Sequence, residues 1–280
     1  MNEEKTRTYL HEVLDKQSVL ANQEKQRLRT AMYASDFSSC LRKCWFQFFP
    51  EQYPSDGLID ARTARIFENG NAVHTRLGGY LKREEGLDFH DELDVPRDEL
   101  EVHGRCDGIC RVNEQAIVVE FKSINKDEMG EPKSEHIGQV LWYIGMMRIL
   151  RQDLREDFGL VEGEMVDEDD LKFESASGRT WETMSVMERW LLTTQGEIKG
   201  EIIYESKGTQ EITAFSVEFN ESSFKEIRLW FEQLKWHVEN KEMPRVNYYP
   251  SKFPCSWGSE FKKNSGKCQF YGRCWGGKTT

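Results

Sequence analysis

The alternation of hydrophobic and polar positions predicts a central β-hairpin between Gly104 and Lys122. The run from Ile117 to Phe121 is rich in β-branched and aromatic residues, which favour strands. Asn113-Glu114 can turn the chain, because Asn tolerates the left-handed backbone conformation. If these two residues form the loop, Val112 pairs with Gln115, and this pair sets the register of the whole hairpin.

That register brings two carboxylates and a lysine to one face of the hairpin. Counting back from the turn, Asp107 lies opposite Glu120, and Lys122 shares the face of Glu120 because strand side chains alternate. Hard oxygen ligands of this kind suit Mg²⁺ or Mn²⁺, and a bound cation could activate water against a phosphodiester. The opposite face is predicted to point into a core through Cys106, Cys110, Ile117, Val119 and Phe121.

Helical periodicity surrounds this hairpin on both sides along the chain. The fold class predicted is α/β (α+β), with a central mixed sheet flanked by helices. A further short helix carries Cys40 and ends at Pro50, with Ser35 or Asp36 as its cap. The other helices are predicted at 1–34, 61–83, from Ser134 or Glu135 onward, 181–192 and 222–240, and the other strands at 88–102, 200–204 and 212–219.

Three more side chains lie on predicted helices at positions that could serve such a centre. His74 follows Gly70 by one turn, and neutral imidazole is a good ligand for Mn²⁺. Gln139 and Tyr143 are four residues apart and therefore share a helix face. Taken alone, each also fits an ordinary core or surface position, so the residues by themselves leave both interpretations open.

The cysteines form a second pattern. Seven cysteines, an odd number, favour thiols and metal ligands over disulfides. Cys₄ sets hold either Zn²⁺ or an iron–sulfur cluster, and the absence of paired C-x₂₋₄-C knuckles in the tail favours the cluster. The candidate ligands are Cys40 or Cys44 in the early segment and Cys255, Cys268 and Cys274 in the tail.

Composition limits the class of protein. Of 280 residues, 38% are hydrophobic and 31% charged, no apolar run approaches the ~20 residues of a membrane span, and the start of the chain lacks the apolar core of a signal peptide. We therefore expect a cytoplasmic protein. The net charge of −11 argues against a general nucleic-acid coat. Charge is unevenly distributed, because 251–280 is basic whereas 151–174 is strongly acidic and is interpreted as a solvated insertion.

Taken together, the motifs resemble the PD-(D/E)xK nucleases of the RecB-like branch. They are Gly70-x-x-x-His74, Gly104-Arg-x-Asp107, Glu120-x-Lys122 and Gln139-x-x-x-Tyr143, in that order. The cysteines are similar to those of the iron–sulfur subgroup, which includes CRISPR-adaptation-associated nucleases, the AddB nuclease domain and phage exonucleases. In that subgroup one cysteine precedes the core and three follow it.

The match to the iron–sulfur subgroup has two departures. The segment from Cys40 to Phe46 is similar to the family's early cysteine motif, with Leu41 in place of Pro. The family commonly spaces its second and third ligands by three residues, whereas Cys255 lies thirteen residues before Cys268. An insertion in the tail accounts for that spacing.

The resemblance implies a restriction-endonuclease-like core and a metal-dependent exonuclease acting on DNA ends, with single-stranded DNA favoured. It implies Lys122 as the catalytic lysine, Gln139 and Tyr143 as DNA-positioning residues, and a structural 4Fe–4S cluster, with Zn²⁺ as the less favoured occupant. The implied ligands of Mg²⁺ or Mn²⁺ are His74, Asp107, Glu120 and the carbonyl of Phe121. Those of the cluster are Cys40, Cys255, Cys268 and Cys274.

The expected organisation is an N-terminal helical segment at 1–34 and one nuclease domain at 35–280. That domain would carry the acidic insertion at about 153–194 and a cluster-binding tail at 248–280. Expected partners are DNA and a helicase, recombination or CRISPR-adaptation protein, in a prokaryote or phage and with no membrane. The alternatives are a structure-specific endonuclease or nickase, a DNA-binding subunit, and a zinc-stapled protein whose acidic insertion docks a basic partner.

Overall fold

A computed structural model describes residues 9–25, 29–54, 61–112, 115–161, 166, 171, 174–246, 256–257, 266–268 and 270–275. The predicted turn at Asn113-Glu114 and the candidate ligand Cys255 lie outside these residues. The chain divides into two compact units. The sheet unit comprises 31–38 and 73–235, and the terminal unit comprises 1–30, 39–72 and 236–280.

The described residues form seven α-helices and eight strands. The helices are α1 Tyr9–Lys25, α2 Leu41–Phe48, α3 Ala61–Leu81, α4 Ser134–Asp157, α5 Val186–Thr193, α6 Glu221–Glu239 and α7 Tyr271–Trp275. The strands are β1 Met32–Tyr33, β2 Asp88–Val95, β3 Val102–Val112, β4 Gln115–Ile124, β5 Gln195–Ser206, β6 Ile212–Val217, β7 Ser256–Trp257 and β8 Gly266–Lys267.

The sheet unit contains a six-stranded mixed sheet with the order β1-β3-β4-β5-β6, and β2 pairs with β3. The pairs β2–β3, β3–β4 and β5–β6 are antiparallel, whereas β1–β3 and β4–β5 are parallel. The predicted class, a central mixed sheet flanked by helices, is confirmed. The hairpin register is confirmed from Val112 opposite Gln115 to Gly108 opposite Val119, whereas the predicted pair of Asp107 with Glu120 is not part of the observed ladder.

The two faces of the hairpin have different chemistry. On one face, Val119 and Phe121 pack in a buried cluster with Cys110 and with Val73 and Leu77 of α3. The side chains that the alternation predicts to be inward are therefore inward. The other face lies against α4, which comes so close that a Cβ on Gly200 of β5 would lie 2.2 Å from Val140. A glycine there lets a long buried helix settle on the sheet.

Several of the predicted boundaries are wrong. The strand predicted at 88–102 ends at Val95, and the strand predicted at 200–204 is β5, which extends further at both ends.

The helix boundaries differ as well. Helix α1 ends at Lys25, and Ala34–Asp36 forms a separate 3₁₀ turn instead of helix continuing to residue 34. The N-cap of the short helix α2 is Cys40, and not the predicted Ser35 or Asp36. The side chain of Asp36 instead accepts a hydrogen bond of 2.7 Å from Tyr33 N, before the helix begins. Helix α5 begins later than residue 181, because Ser185 and Glu188 form a capping box.

The acidic segment has a hydrophobic cluster of its own. Leu154 at the end of α4 and Leu192 of α5 are almost fully buried, and Leu171 between them is 0% exposed. Phe158, Val166 and Met184 complete this cluster. The described part of the segment is therefore more than a solvated polar insertion, because it contains a buried apolar cluster.

In the terminal unit, the early segment and the tail meet. Arg42 Nε donates to the carbonyl of Pro244 at 2.7 Å, and Trp45 Nε1 donates to that of His237 at 3.0 Å. The ring of Phe46 lies 5.0 Å from that of Phe270, centroid to centroid. These contacts fasten α2 to residues from the other end of the chain. No helix among the described residues combines the length and apolar character needed to cross a bilayer.

Candidate active site

Asp107 on β3 is held by two donors from different elements. Its Oδ1 lies 2.8 Å from Nδ1 of His74 on α3. Its Oδ2 accepts a hydrogen bond of 2.7 Å from the backbone N–H of Phe121 on β4. Residues of α3 and β4 thus meet at Asp107, whose side chain bonds to the backbone of β4 beyond the end of the observed ladder.

Glu120 and Lys122 project from β4 toward α4, where Gln139 joins them. Lys122 Nζ donates to Glu120 Oε1 at 2.5 Å and to Gln139 Oε1 at 3.1 Å. Gln139 Nε2 donates to the same Glu120 oxygen at 2.8 Å. The amide of Gln139 thus links the carboxylate and the ammonium group and fixes both orientations.

Tyr143 continues this chain of hydrogen bonds toward β3. Its hydroxyl accepts from Gln139 Nε2 at 2.7 Å and donates to the carbonyl of Arg105 at 3.1 Å. Gly104 makes room for the ring, because a Cβ there would lie 2.7 Å from a ring carbon of Tyr143. The contacts seen for Gln139 and Tyr143 are with other site residues, and their contact with DNA stays a prediction.

Burial and neighbouring charges shift the protonation of the site. Burial raises the pKa of Glu120 to about 7, while the charge of Lys122 opposes the shift and that of Asp107 adds to it. Burial alone would lower the pKa of His74, but the hydrogen bond and charge of Asp107, with the charge of Glu120, outweigh it and raise the pKa. Burial also raises the pKa of Tyr143 well above its usual value.

The residue types fit a hard divalent cation. Within the described residues, Glu120 Oε2 is buried without a hydrogen-bond partner, so one carboxylate oxygen remains for a ligand. The chain's own donors occupy both Asp107 oxygens and the other Glu120 oxygen. Accordingly, no three His, Cys, Asp or Glu side chains in the described parts of the chain converge as they would around a bound ion. Cation binding would require an exchange of these partners.

A cleft of about 360 Å³ opens beside His74, Asp107 and Phe121. Two acidic residues of β2, Asp91 and Glu92, form one wall. The opposite wall is α3, which contributes Thr75, Gly78, Gly79 and Lys82.

Gly70, predicted to allow a close approach on α3, does not have one among the described residues, since nothing lies within 4 Å of a Cβ placed there.

Cys40 and Cys268 both lie within electrostatic range of Cys44 and of Cys274. Burial raises the pKa of Cys44 to about 11, against the charges of Arg29 and Lys43. Burial also raises the pKa of Cys274, although the charge and a hydrogen bond of Arg42 oppose the shift. In the described parts of the chain these thiols do not converge in a group of three as ligands of one ion would, so a metal or cluster at the cysteines stays a prediction. By contrast, Cys106 and Cys110 are buried in the sheet unit, as predicted.

Two residues missed in the sequence belong to the polar face beside Lys122. Tyr204 on β5 is the parallel partner of Lys122, and its hydroxyl lies 2.8 Å from Nδ1 of His136 on α4. His136 precedes Gln139 by three residues, a helical spacing that could have drawn attention to it. Tyr204 gives no such signal, because its position depends on a strand pairing between distant parts of the chain.

No protein-family model and no curated protein matches this chain. Among solved structures, SSO0001 is similar over 86% of this chain and 91% of its own, at 15% identity and a TM-score of 0.47. An alkaline exonuclease (LHK-Exo) from Laribacter hongkongensis is similar over 81% and 93%, at 10% identity and a TM-score of 0.40. Its complex with dAMP covers 75% and 89%, at 11% identity and a TM-score of 0.38. Because these identities and scores are low, we base the functional interpretation on the geometry of the site.

Proposed function

We propose that the protein is a divalent-metal-dependent deoxyribonuclease of the PD-(D/E)xK type that degrades DNA from its ends. One observation carries this proposal. The Lys122 ammonium group is held between the carboxylate of Glu120 and the amide of Gln139. One strand away, Asp107 pairs with His74. A network that fixes a lysine beside two carboxylates and an imidazole fits hydrolysis of a phosphodiester.

Each side chain has a part in this chemistry. His74, Asp107, Glu120 and the carbonyl of Phe121 would hold Mg²⁺ or Mn²⁺, which lowers the pKa of a bound water and offsets charge on the phosphate. Lys122 would hold the attacking water by a hydrogen bond and stabilise negative charge near it. Water oxygen forms the new bond to phosphorus while the bond to the leaving sugar oxygen breaks, and that oxygen takes up a proton.

The surrounding residues keep this arrangement rigid. Gln139 donates amide hydrogens to Glu120 and to Tyr143, and its amide oxygen accepts a hydrogen bond from Lys122. The Phe121 N–H holds Asp107 in place. Once a cation has replaced some of these partners, the side chains that remain held in this way need little further reorganisation when charge develops during the reaction.

For the cysteine group we propose a structural 4Fe–4S cluster held by Cys40, Cys268 and Cys274 together with Cys255. The proposal is supported by the spacing of these cysteines along the chain and by the position of Cys40 and Cys268 within electrostatic range of Cys274. Cluster binding would join α2 to the tail and stabilise the terminal unit. Preference for single-stranded DNA is part of the same proposal and is open to direct assay.

The test is degradation of end-labelled single-stranded DNA with Mg²⁺ or Mn²⁺. Asp107→Ala and Lys122→Ala should each lower the rate by about a hundredfold or more while the protein stays folded. Lys225→Ala removes an exposed lysine of α6 and is the matched control, with an expected rate near that of the wild type. Unchanged rates in the two site variants would refute the assignment, and cleavage of a closed circular substrate would favour the endonuclease alternative.

A further inference from the structure

A second polar pair lies beside Lys122, on the face of the sheet that α4 covers. Tyr204 is fully buried on β5, directly across the parallel ladder from Lys122. Its hydroxyl lies 2.8 Å from the backbone nitrogen of Lys133 and 2.8 Å from Nδ1 of His136. His136 stands in the first turn of α4 and is half-buried. The pair is therefore adjacent to the proposed centre but separate from its ligands.

The hydrogen-bond pattern fixes the proton on the imidazole of His136. The amide of Lys133 can only donate, so the Tyr204 oxygen accepts there. The hydroxyl hydrogen of a buried phenol needs an acceptor, and Nδ1 of His136 is the acceptor it has among the described residues. Nδ1 therefore carries no proton. The single ring hydrogen is on Nε2, which makes no hydrogen bond to the described part of the chain.

The neighbouring charges favour this neutral form. Burial first, and then the positive charges of Lys122 and Lys133, lower the pKa of His136 to about 4, with Glu128 acting weakly in the opposite direction. A ring in this surrounding is neutral at physiological pH. Lys122 and Lys133 are paired with the carboxylates of Glu120 and Glu128, and their charges nevertheless act on the ring. An acceptor that binds Nε2–H therefore comes near two cationic side chains, which favours an anion.

We propose that His136 is a further DNA-contacting residue, which donates a hydrogen bond from Nε2 to a non-bridging oxygen of a backbone phosphate of the strand held at Lys122. This inference rests on the proposed nuclease function. Tyr204 is then the positioning residue, because its bond to Nδ1 keeps the ring hydrogen of His136 on Nε2. A neutral donor fixed in this way contacts phosphate without depending on the uptake of a proton, and such contacts set the register of a strand in a site.

Two substitutions test the roles of the two ring nitrogens of His136 one at a time. In His136→Asn the amide oxygen can replace Nδ1 as the acceptor for Tyr204, but the distal donor is lost. In His136→Gln the amide nitrogen can replace Nε2, while the Tyr204 hydroxyl loses its acceptor. A purely structural role predicts that Asn is tolerated and Gln is damaging. A phosphate contact predicts the opposite for DNA affinity.

The measurement is the affinity for a fluorescent single-stranded oligonucleotide in Ca²⁺, with KM and kcat in Mg²⁺ and a thermal melt for each variant. We expect His136→Asn to melt like the wild type and to weaken binding and raise KM about tenfold, because a hydrogen bond to a charged acceptor is lost. His136→Gln should melt earlier but keep its affinity within about threefold of the wild type.

Wild-type affinity in His136→Asn would overturn the inference while leaving the nuclease assignment intact. Should that variant not fold, the position of the proton decides: a nitrogen NMR spectrum must show a neutral ring with hydrogen on Nε2, and this signal must shift when the oligonucleotide is added. A protonated ring or an unmoved signal would overturn it. A wild-type protein that binds DNA through His136 without cleaving it would refute the nuclease proposal instead.

Discussion

The polar network around Glu120 and the cysteine group of the terminal unit are held together in different ways. Around Glu120, carboxylate, amide, ammonium and phenol groups satisfy one another through hydrogen bonds of 2.5 to 3.1 Å. Around Cys274, thiols with raised pKa values lie near one another among apolar and aromatic neighbours. Thiols are weak hydrogen-bonding groups, so packing contributes to holding this group, together with a hydrogen bond between Arg42 and Cys274.

This difference indicates that the stability of the cysteine group depends on a bound metal more than the stability of the network around Glu120 does. The network around Glu120 is arranged by the chain itself, so its fold should survive the loss of any divalent cation. Burial raises the pKa values of Cys44 and Cys274, and a metal bound at Cys274 would displace its proton. We therefore expect removal of a metal to cost stability in the terminal unit and activity in the sheet unit.

The largest expected effect is the loss of the cluster. Cys268→Ser and Cys274→Ser should give colourless protein without iron and with a clearly lower melting temperature, because binding energy in such sites is folding energy. Iron analysis, visible absorbance and thermal melts on anaerobically purified protein measure this. Lys122→Ala is the matched comparison and should keep its iron. Wild-type protein that is colourless and holds stoichiometric zinc would contradict the cluster.

A smaller effect is expected at Gly104, where the ring of Tyr143 packs against the backbone of β3. Gly104→Ala places a Cβ 2.7 Å from the Tyr143 ring, and overpacking of this kind costs about 1–3 kcal/mol. DNA cleavage should fall as well, because a displaced Tyr143 disturbs Gln139. Urea unfolding and the cleavage assay measure both. Gly130→Ala, with nothing within 4 Å of its Cβ, is the control. Equal unfolding free energies in the two variants would show that Tyr143 moves aside without cost.

The smallest effect is predicted for Cys44, which is 1% exposed in the terminal unit. If Cys40 is the early ligand, Cys44→Ala should keep its iron and lose only about 1 kcal/mol of stability through the small cavity it leaves. Cys40→Ala should lose the iron. Iron content per folded chain distinguishes the two, and the reverse pattern would assign the ligand to Cys44.

The sequence was most informative where structure is local. The hairpin register follows from a two-residue turn and the alternation of side chains, so the pairing from Val112–Gln115 to Gly108–Val119 could be predicted from the sequence. The bond of Asp107 to the N–H of Phe121, beyond the end of this ladder, could not be predicted. The N-cap of α2 could not be predicted, because Ser35, Asp36 and Cys40 all lie where a cap is reasonable. The choice depends on the hydrogen bond that the side chain of Asp36 accepts from Tyr33 N. Tyr204 was unpredictable, since the parallel pairing of β4 with β5 joins residues that are far apart along the chain.

That parallel pairing also has a consequence for how the chain folds. The residues from His74 to Tyr143 can assemble the polar network as soon as α4 has been synthesised, but the strand that covers the open edge of β4 follows only after residues 125–194. Closing such a long loop is slow, and an unpaired apolar strand edge attracts other chains in the meantime. During that interval the backbone N–H and C=O groups along this edge of β4 would lack their partners on β5. The hydrophobic cluster within 154–192 shortens the effective loop, so its early formation would protect the nascent protein from aggregation.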